Sequence, residues 1–61
     1  MGSLAEAAEF VRTLRGAQDL EKKDLLGSSL SWYLKAKKLY PGSSFAGDGI
    51  DRLVKKIVPE T

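Results

Sequence analysis

Apolar residues recur three and four positions apart over most of this chain, which is the spacing of amphipathic helices. The first such segment predicts a helix over about residues 4–22, preceded by Ser3 and Glu6 at the spacing of a capping box. Gly16 lies within it and is expected to allow close contact with a neighbouring helix. The apolar positions of this segment are Leu4, Ala7, Phe10, Val11, Leu14, Ala17 and Leu20.

The second segment predicts a helix over about residues 25–40, because Asp24 is a suitable N-cap and Pro41 cannot continue a helix. One face carries a small residue, an aromatic residue and another small residue: Ser29, Tyr33 and Ala36. This series lets a second helix approach closely, and the expected partners on the first helix are Phe10, Leu14 and Ala17. The helix also has a second apolar stripe, so it should contact two neighbours; that stripe is Leu25, Ser28, Trp32 and Leu39.

The third segment has the spacing i, i+3, i+4, i+7 at Ile50, Leu53, Val54 and Ile57. It predicts a helix over about residues 48–58, with Asp48 as its N-cap and Pro59 after its end. A start near Ser44 is the alternative, but it would place two glycines inside the helix at about 1 kcal/mol each. The expected fold is all-α: one module over residues 1–61, an antiparallel helical hairpin plus a shorter third helix.

Composition narrows the range of functions. The 61 residues include neither cysteine nor histidine, which removes disulfides, thiolate metal sites and the commonest general base. No carboxylate pair converges, and the glycine-rich stretch 42–49 lacks the lysine of a phosphate-binding loop. We therefore expect no enzyme activity, no metal and no cofactor.

Hydropathy and charge bear on location and partners. No apolar run approaches the roughly 20 residues of a membrane span, and no signal peptide is visible, so an intracellular, cytoplasmic location is expected. Four basic and five acidic groups give residues 1–30 a charge of −1, while six basic and three acidic groups give residues 31–61 a charge of +3. This asymmetry suits an acidic partner but is weak for nucleic acid.

Several of these residues are placed as in a tetratricopeptide (TPR) repeat: Ala17, Leu20, Ser29, Tyr33, Ala36 and Pro41. The pattern of the MIT (microtubule-interacting and transport) domain is similar over the same stretch and adds an acid at Glu21. The phrase 35–41 also resembles single TPR-like segments of some J-domain co-chaperones. Thr13 and Gly16 depart from the TPR pattern, and the third helix is short for an MIT domain. The resemblance implies an adaptor that binds a partner protein.

The expected binding site is a groove beside the second and third helices. Its predicted apolar contacts are Trp32, Leu39, Leu53 and Ile57, and its predicted basic rim is Lys35, Lys38 and Lys56. The partner would be a short peptide or an acidic amphipathic helix. Trp32 could instead pack the third helix onto the second, and the lysines could simply complement helix dipoles. Two alternative functions remain: homo-oligomerisation, such as a homodimer, and small-domain nucleic-acid binding.

Overall fold

The structure, a computed structural model, describes residues 4–58, which form three α-helices and no β-strand. These are α1 (Leu4–Lys22), α2 (Leu26–Leu39) and α3 (Ser44–Ile57). The predicted all-α fold is confirmed. The third helix is shorter than α1 but, at 14 residues, it equals α2. Ser3 and Pro59, predicted to flank the first and third helices, lie outside the described residues.

Helices α1 and α2 form the predicted hairpin. The small–aromatic–small stripe of α2 is its buried face, since Ser29, Tyr33 and Ala36 are the residues of this helix that lie in the core. The Ser29 hydroxyl donates a hydrogen bond to the backbone carbonyl of Ala17 across a distance of 2.6 Å. This bond satisfies a buried polar group and brings the two helix backbones close together.

Helix α3 packs on the other side of α2, so that α2 lies between its two neighbours. The core consists of two small clusters. One contains Phe10, Ala36 and Ala46; the other contains Ala17, Tyr33 and Leu53. Each cluster takes one residue from every helix, and the Cα atoms span only 42 × 21 × 12 Å. A molecule this thin leaves much apolar surface exposed.

The turn between α1 and α2 corrects the role predicted for Asp24. This residue has a φ of 62°, and its amide donates to the Glu21 carbonyl while the Leu25 amide donates to the Leu20 carbonyl. These two bonds are the C-terminal Schellman motif, in which the residue after the helix adopts the left-handed conformation. Asp24 therefore ends α1 and does not cap α2. The residue before α2 is Leu25, which makes no side-chain cap hydrogen bond.

Helix α3 begins at Ser44 rather than at residue 48, and Ser43 precedes it in extended conformation. Gly47 and Gly49 consequently lie inside the helix. Packing explains the second of these: a Cβ added at Gly49 would lie only 2.5 Å from Cζ of Tyr33. Contact with the aromatic ring offsets the low helix propensity of glycine, which is the reason why the sequence predicts a start near residue 48.

Candidate functional site

Two consecutive aromatic residues of α2 contact glycines on opposite neighbours. Trp32 lies against Gly16 of α1, where an added Cβ would be 2.6 Å from Cζ3 of the indole. Tyr33 lies against Gly49 of α3. The Trp32 residue is 43% exposed, whereas Tyr33 is 1% exposed. The prediction that Gly16 permits a close helix contact is confirmed, and the residue in contact is Trp32.

The hydroxyl of Tyr33 belongs to a polar cluster that joins all three helices. It donates to Oε1 of Glu21 on α1 at 2.9 Å. Arg52 of α3 binds the same carboxylate at both oxygens, with Nε 2.8 Å from Oε2 and Nη2 2.9 Å from Oε1. Nζ of Lys56 lies 3.9 Å from Oε2. We call these four residues, Glu21, Tyr33, Arg52 and Lys56, the Glu21 cluster.

The ion pair between Glu21 and Arg52 keeps both of these side chains charged near neutral pH. The hydrogen bond from Arg52 lowers the pKa of Glu21 to about 2, and this effect outweighs the burial that acts in the opposite direction. Glu21 in turn raises the pKa of Arg52, mainly through the same hydrogen bond. Burial is the main reason why the pKa of Tyr33 is raised. A carboxylate held this way is a fixed acceptor, so the cluster ties the three helices together.

Sequence reasoning missed the Glu21 cluster as a unit. The sequence singles out Glu21 only through the MIT-like pattern, and nothing in that pattern links Glu21 to Arg52. The two residues are 31 positions apart, and helical periodicity relates only residues a few positions apart. A half-exposed arginine such as Arg52 gives no burial signal either.

The structure does not bring the seven predicted contact residues onto one surface. Leu53 is fully buried, so its predicted role as a partner contact is wrong: it fills the core beneath Tyr33. Leu39 is partly buried against the cluster that contains Phe10. Lys56 belongs to the Glu21 cluster. Trp32 faces α1, which excludes the alternative that it packs α3 onto α2.

Lys35 and Lys38 are exposed on two different sides of α2. Lys35 follows Trp32 by three positions and precedes Leu39 by four, which places it on the side towards α1. Lys38 follows Leu34 by four positions, and Leu34 follows Leu30 by four. These three residues form a row on the side of α2 towards α3. Of the predicted set, Lys38 and the 41%-exposed Ile57 are the ones that remain beside both α2 and α3.

The seam between α2 and α3 carries two apolar rows. Leu30 and Ile50 pack against the Tyr33 cluster and are partly buried, and Leu34 and Val54 lie one turn beyond them on the two helices. Because the helices are antiparallel, with Lys37 close to Gly47, the two rows run side by side in opposite directions. We call this the α2/α3 surface, and its residues are Leu26, Leu30, Leu34, Ile50, Val54 and Ile57.

Exposure of the α2/α3 surface is uneven. Leu34 is 52% exposed and Val54 is 43% exposed, although both continue rows that begin in the core. A further depression of about 520 Å³ lies on the outer side of α1, but every residue lining it comes from that one helix. The α2/α3 surface instead combines exposed apolar residues of two helices, and amphipathic helices dock on apolar surfaces of this kind.

Other candidate sites find no support among residues 4–58. This part of the chain has no group of acidic residues placed to hold a metal ion. None of its helices is long and apolar enough to cross a membrane. Comparison of the chain with protein-family models, with curated proteins and with solved structures found no significant match. The likeness to TPR and MIT patterns therefore stays a prediction.

Proposed function

We propose that this protein is an interaction module that binds a helix or short peptide of a partner protein along the α2/α3 surface. The observation that carries the proposal is the pair of apolar rows that leave the core and continue into solvent on adjacent helices. Partner helices dock on such surfaces through residues at the spacing i, i+3, i+4, i+7. The TPR-like and MIT-like residue pattern implies the same kind of function.

Charge favours an acidic partner. Helix α2 contributes Lys37 and Lys38 on the side towards α3 and contains no acidic residue. A partner that carries acidic residues beside its apolar stripe would be attracted to this side of the molecule and would associate faster. The proposed partner is therefore an amphipathic segment with acidic polar positions.

Packing favours a preformed site. The position of α3 on α2 is set by the Tyr33–Gly49 contact and by the Glu21 cluster, so both helices of the α2/α3 surface are in place before a partner arrives. A helix that is already ordered does not lose further conformational freedom on binding.

The test uses a designed acidic peptide with leucines at the spacing i, i+3, i+4, i+7, and measures its binding by fluorescence anisotropy. Val54→Asp should weaken binding by about tenfold or more, because it places a charge in the apolar contact. Val11→Asp is the matched control: the same residue type, 46% exposed on α1, with no expected effect. Equal effects of the two variants would contradict the proposed site.

Trp32 is the only tryptophan of the chain and provides a second readout. It lies on the α1 side of α2, so binding at the α2/α3 surface should leave its emission unchanged. A shifted emission would place the partner on the other side of α2. Sedimentation velocity over increasing concentration tests the rival function, because self-association through the exposed apolar residues would raise the mass without any peptide.

A further inference from the structure

Helix α3 adds little apolar side chain to the core. Its buried residues are Ala46, Gly49 and Leu53, and only Leu53 has a long side chain. The α3 backbone lies along α2 and has few close approaches to α1. Because the stabilisation from packing grows with the apolar area that is buried, only a small part of it holds α3 in place.

The sequence of α3 also disfavours its helical state. Gly47 and Gly49 each cost about 1 kcal/mol in a helix interior. A Cβ added at Gly47 would meet only Nζ of Lys37, at 4.0 Å, so no tight packing offsets the cost there. Ser43 precedes the helix without a side-chain cap hydrogen bond, and the first turn has no acidic residue. Helix α3 therefore depends on its contacts with the rest of the molecule.

The hairpin of α1 and α2, in contrast, has contacts in which α3 takes no part. The Ser29 hydroxyl binds the Ala17 carbonyl at 2.6 Å, and the rings of Phe10 and Tyr40 lie 5.5 Å apart. The Schellman motif at Asp24 closes the turn between the two helices. All of these contacts can persist when α3 is displaced.

The Glu21 cluster links α3 to α1. Arg52 donates two hydrogen bonds to the Glu21 carboxylate, at 2.8 and 2.9 Å, and Nζ of Lys56 lies 3.9 Å away. The Glu21 side chain is only 13% exposed, so this ion pair is less screened by water than a pair of fully exposed side chains.

We infer that α3 detaches from α2 as a unit while the hairpin stays folded, and that the ion pair of Glu21 with Arg52 sets how often this happens. Detachment exposes the face of α2 that contains Leu30 and Tyr33, and it removes the α2/α3 surface. Elements with few buried apolar contacts open at a lower free energy than the whole domain. The inference concerns the chain alone and does not depend on the proposed function.

The test is native-state hydrogen exchange, measured amide by amide by NMR at a pH where exchange reports the opening equilibrium. Relative to their intrinsic rates, the amides of α3 should exchange at least about tenfold faster than the slowest amides of α1 and α2. Equal protection in the three helices would overturn the inference.

A variant that stabilises only the hairpin sharpens this test. In Asp24→Gly/Gly27→Ala, both substitutions lie in parts that stay folded when α3 detaches. The slowest hairpin amides should therefore exchange about threefold to tenfold more slowly, while the α3 amides keep their rates. Slowing of the α3 amides by the same factor would show that the three helices open together, and the inference would be wrong.

The role of the ion pair is tested by a matched pair of variants in α3. Arg52→Gln should speed the exchange of the α3 amides by about fivefold or more, because it removes both hydrogen bonds to Glu21. Lys55→Gln removes an exposed cation of the same helix outside the Glu21 cluster, and should change these rates by less than about twofold. Equal effects of the two variants would contradict the assigned role of the ion pair.

Discussion

On both sides of α2 an aromatic ring packs against a glycine of the neighbouring helix, but the two contacts have different consequences. On the α1 side an indole ring covers a glycine, and on the α3 side a phenol ring covers a glycine. The Trp32 ring reaches solvent, so it can move aside. Tyr33 is buried, and its hydroxyl is held by Glu21 and Arg52. We therefore expect replacement of the glycine to be more costly where the aromatic ring cannot move.

The largest expected effect is at Gly49. Gly49→Ala should lower the free energy of unfolding by about 2 kcal/mol, because the overpacking cost against the fixed Tyr33 ring exceeds the gain in helix propensity. Urea denaturation measures this. Peptide binding should weaken as well, since α3 forms part of the α2/α3 surface. Gly27→Ala is the control, because an added Cβ there meets nothing within 4 Å and should stabilise α2 slightly.

The second-largest effect is expected at the Glu21 cluster, which holds the Tyr33 hydroxyl in place. Glu21→Gln should cost about 1–2 kcal/mol, because it removes charge-assisted hydrogen bonds that are partly screened at the half-exposed Arg52. The folded-state pKa of Glu21, about 2, lies below its ordinary value of 4.5. Its contribution is therefore present above pH 4.5 and is lost as the pH falls towards 2.

The wild-type protein should thus lose more stability than Glu21→Gln over that acid range. Denaturation curves at several pH values measure the difference. Parallel pH profiles for the two proteins would show that the carboxylate contributes nothing through ionisation.

A smaller effect is expected in the turn that joins α1 to α2. Asp24→Gly should stabilise the protein by about 0.5–1 kcal/mol, because glycine adopts the left-handed conformation of this position without steric cost. The substitution changes the turn of the hairpin and leaves both ring contacts intact. In a double variant, the changes in the free energy of unfolding caused by Asp24→Gly and Gly49→Ala should therefore be additive. A destabilised Asp24→Gly protein would indicate that the Asp24 side chain itself contributes to the turn.

The smallest effect is expected at Gly16. Gly16→Ala should change the free energy of unfolding by less than about 0.5 kcal/mol, because the higher helix propensity of alanine offsets the displacement of a ring that can rotate into solvent. The emission of Trp32 should nevertheless shift, since its surroundings change. A loss as large as that of Gly49→Ala would remove the contrast between the two sides.

The hairpin was predictable because its pattern is local. The stripe of Ser29, Tyr33 and Ala36 repeats at helical spacing, and the structure buries all three, with Phe10 and Ala17 of α1 in the same core clusters. The bounds of the first helix were also predicted, although the structure describes nothing before Leu4. Periodicity in one helix selects the face that packs, and that is sufficient for a hairpin.

What the sequence did not reveal depends on contacts between distant residues. The start of α3 depends on the Tyr33 ring, which makes Gly49 suitable inside a helix. The side of α2 on which Trp32 lies depends on Gly16, since the helical pattern alone allowed either neighbour. The predicted binding residues were therefore assigned to one groove, although they lie on different faces.

The two sides of α2 differ because the Tyr33 ring is fixed and the Trp32 ring is free to move. The most direct test is a pair of double-mutant cycles in urea denaturation, Gly49→Ala with Tyr33→Leu and Gly16→Ala with Trp32→Leu. We expect a coupling energy of about 1–3 kcal/mol in the first cycle, because a smaller side chain relieves the overlap, and less than about 0.5 kcal/mol in the second. Equal coupling energies in the two cycles, or a larger one at Gly16, would contradict the claim.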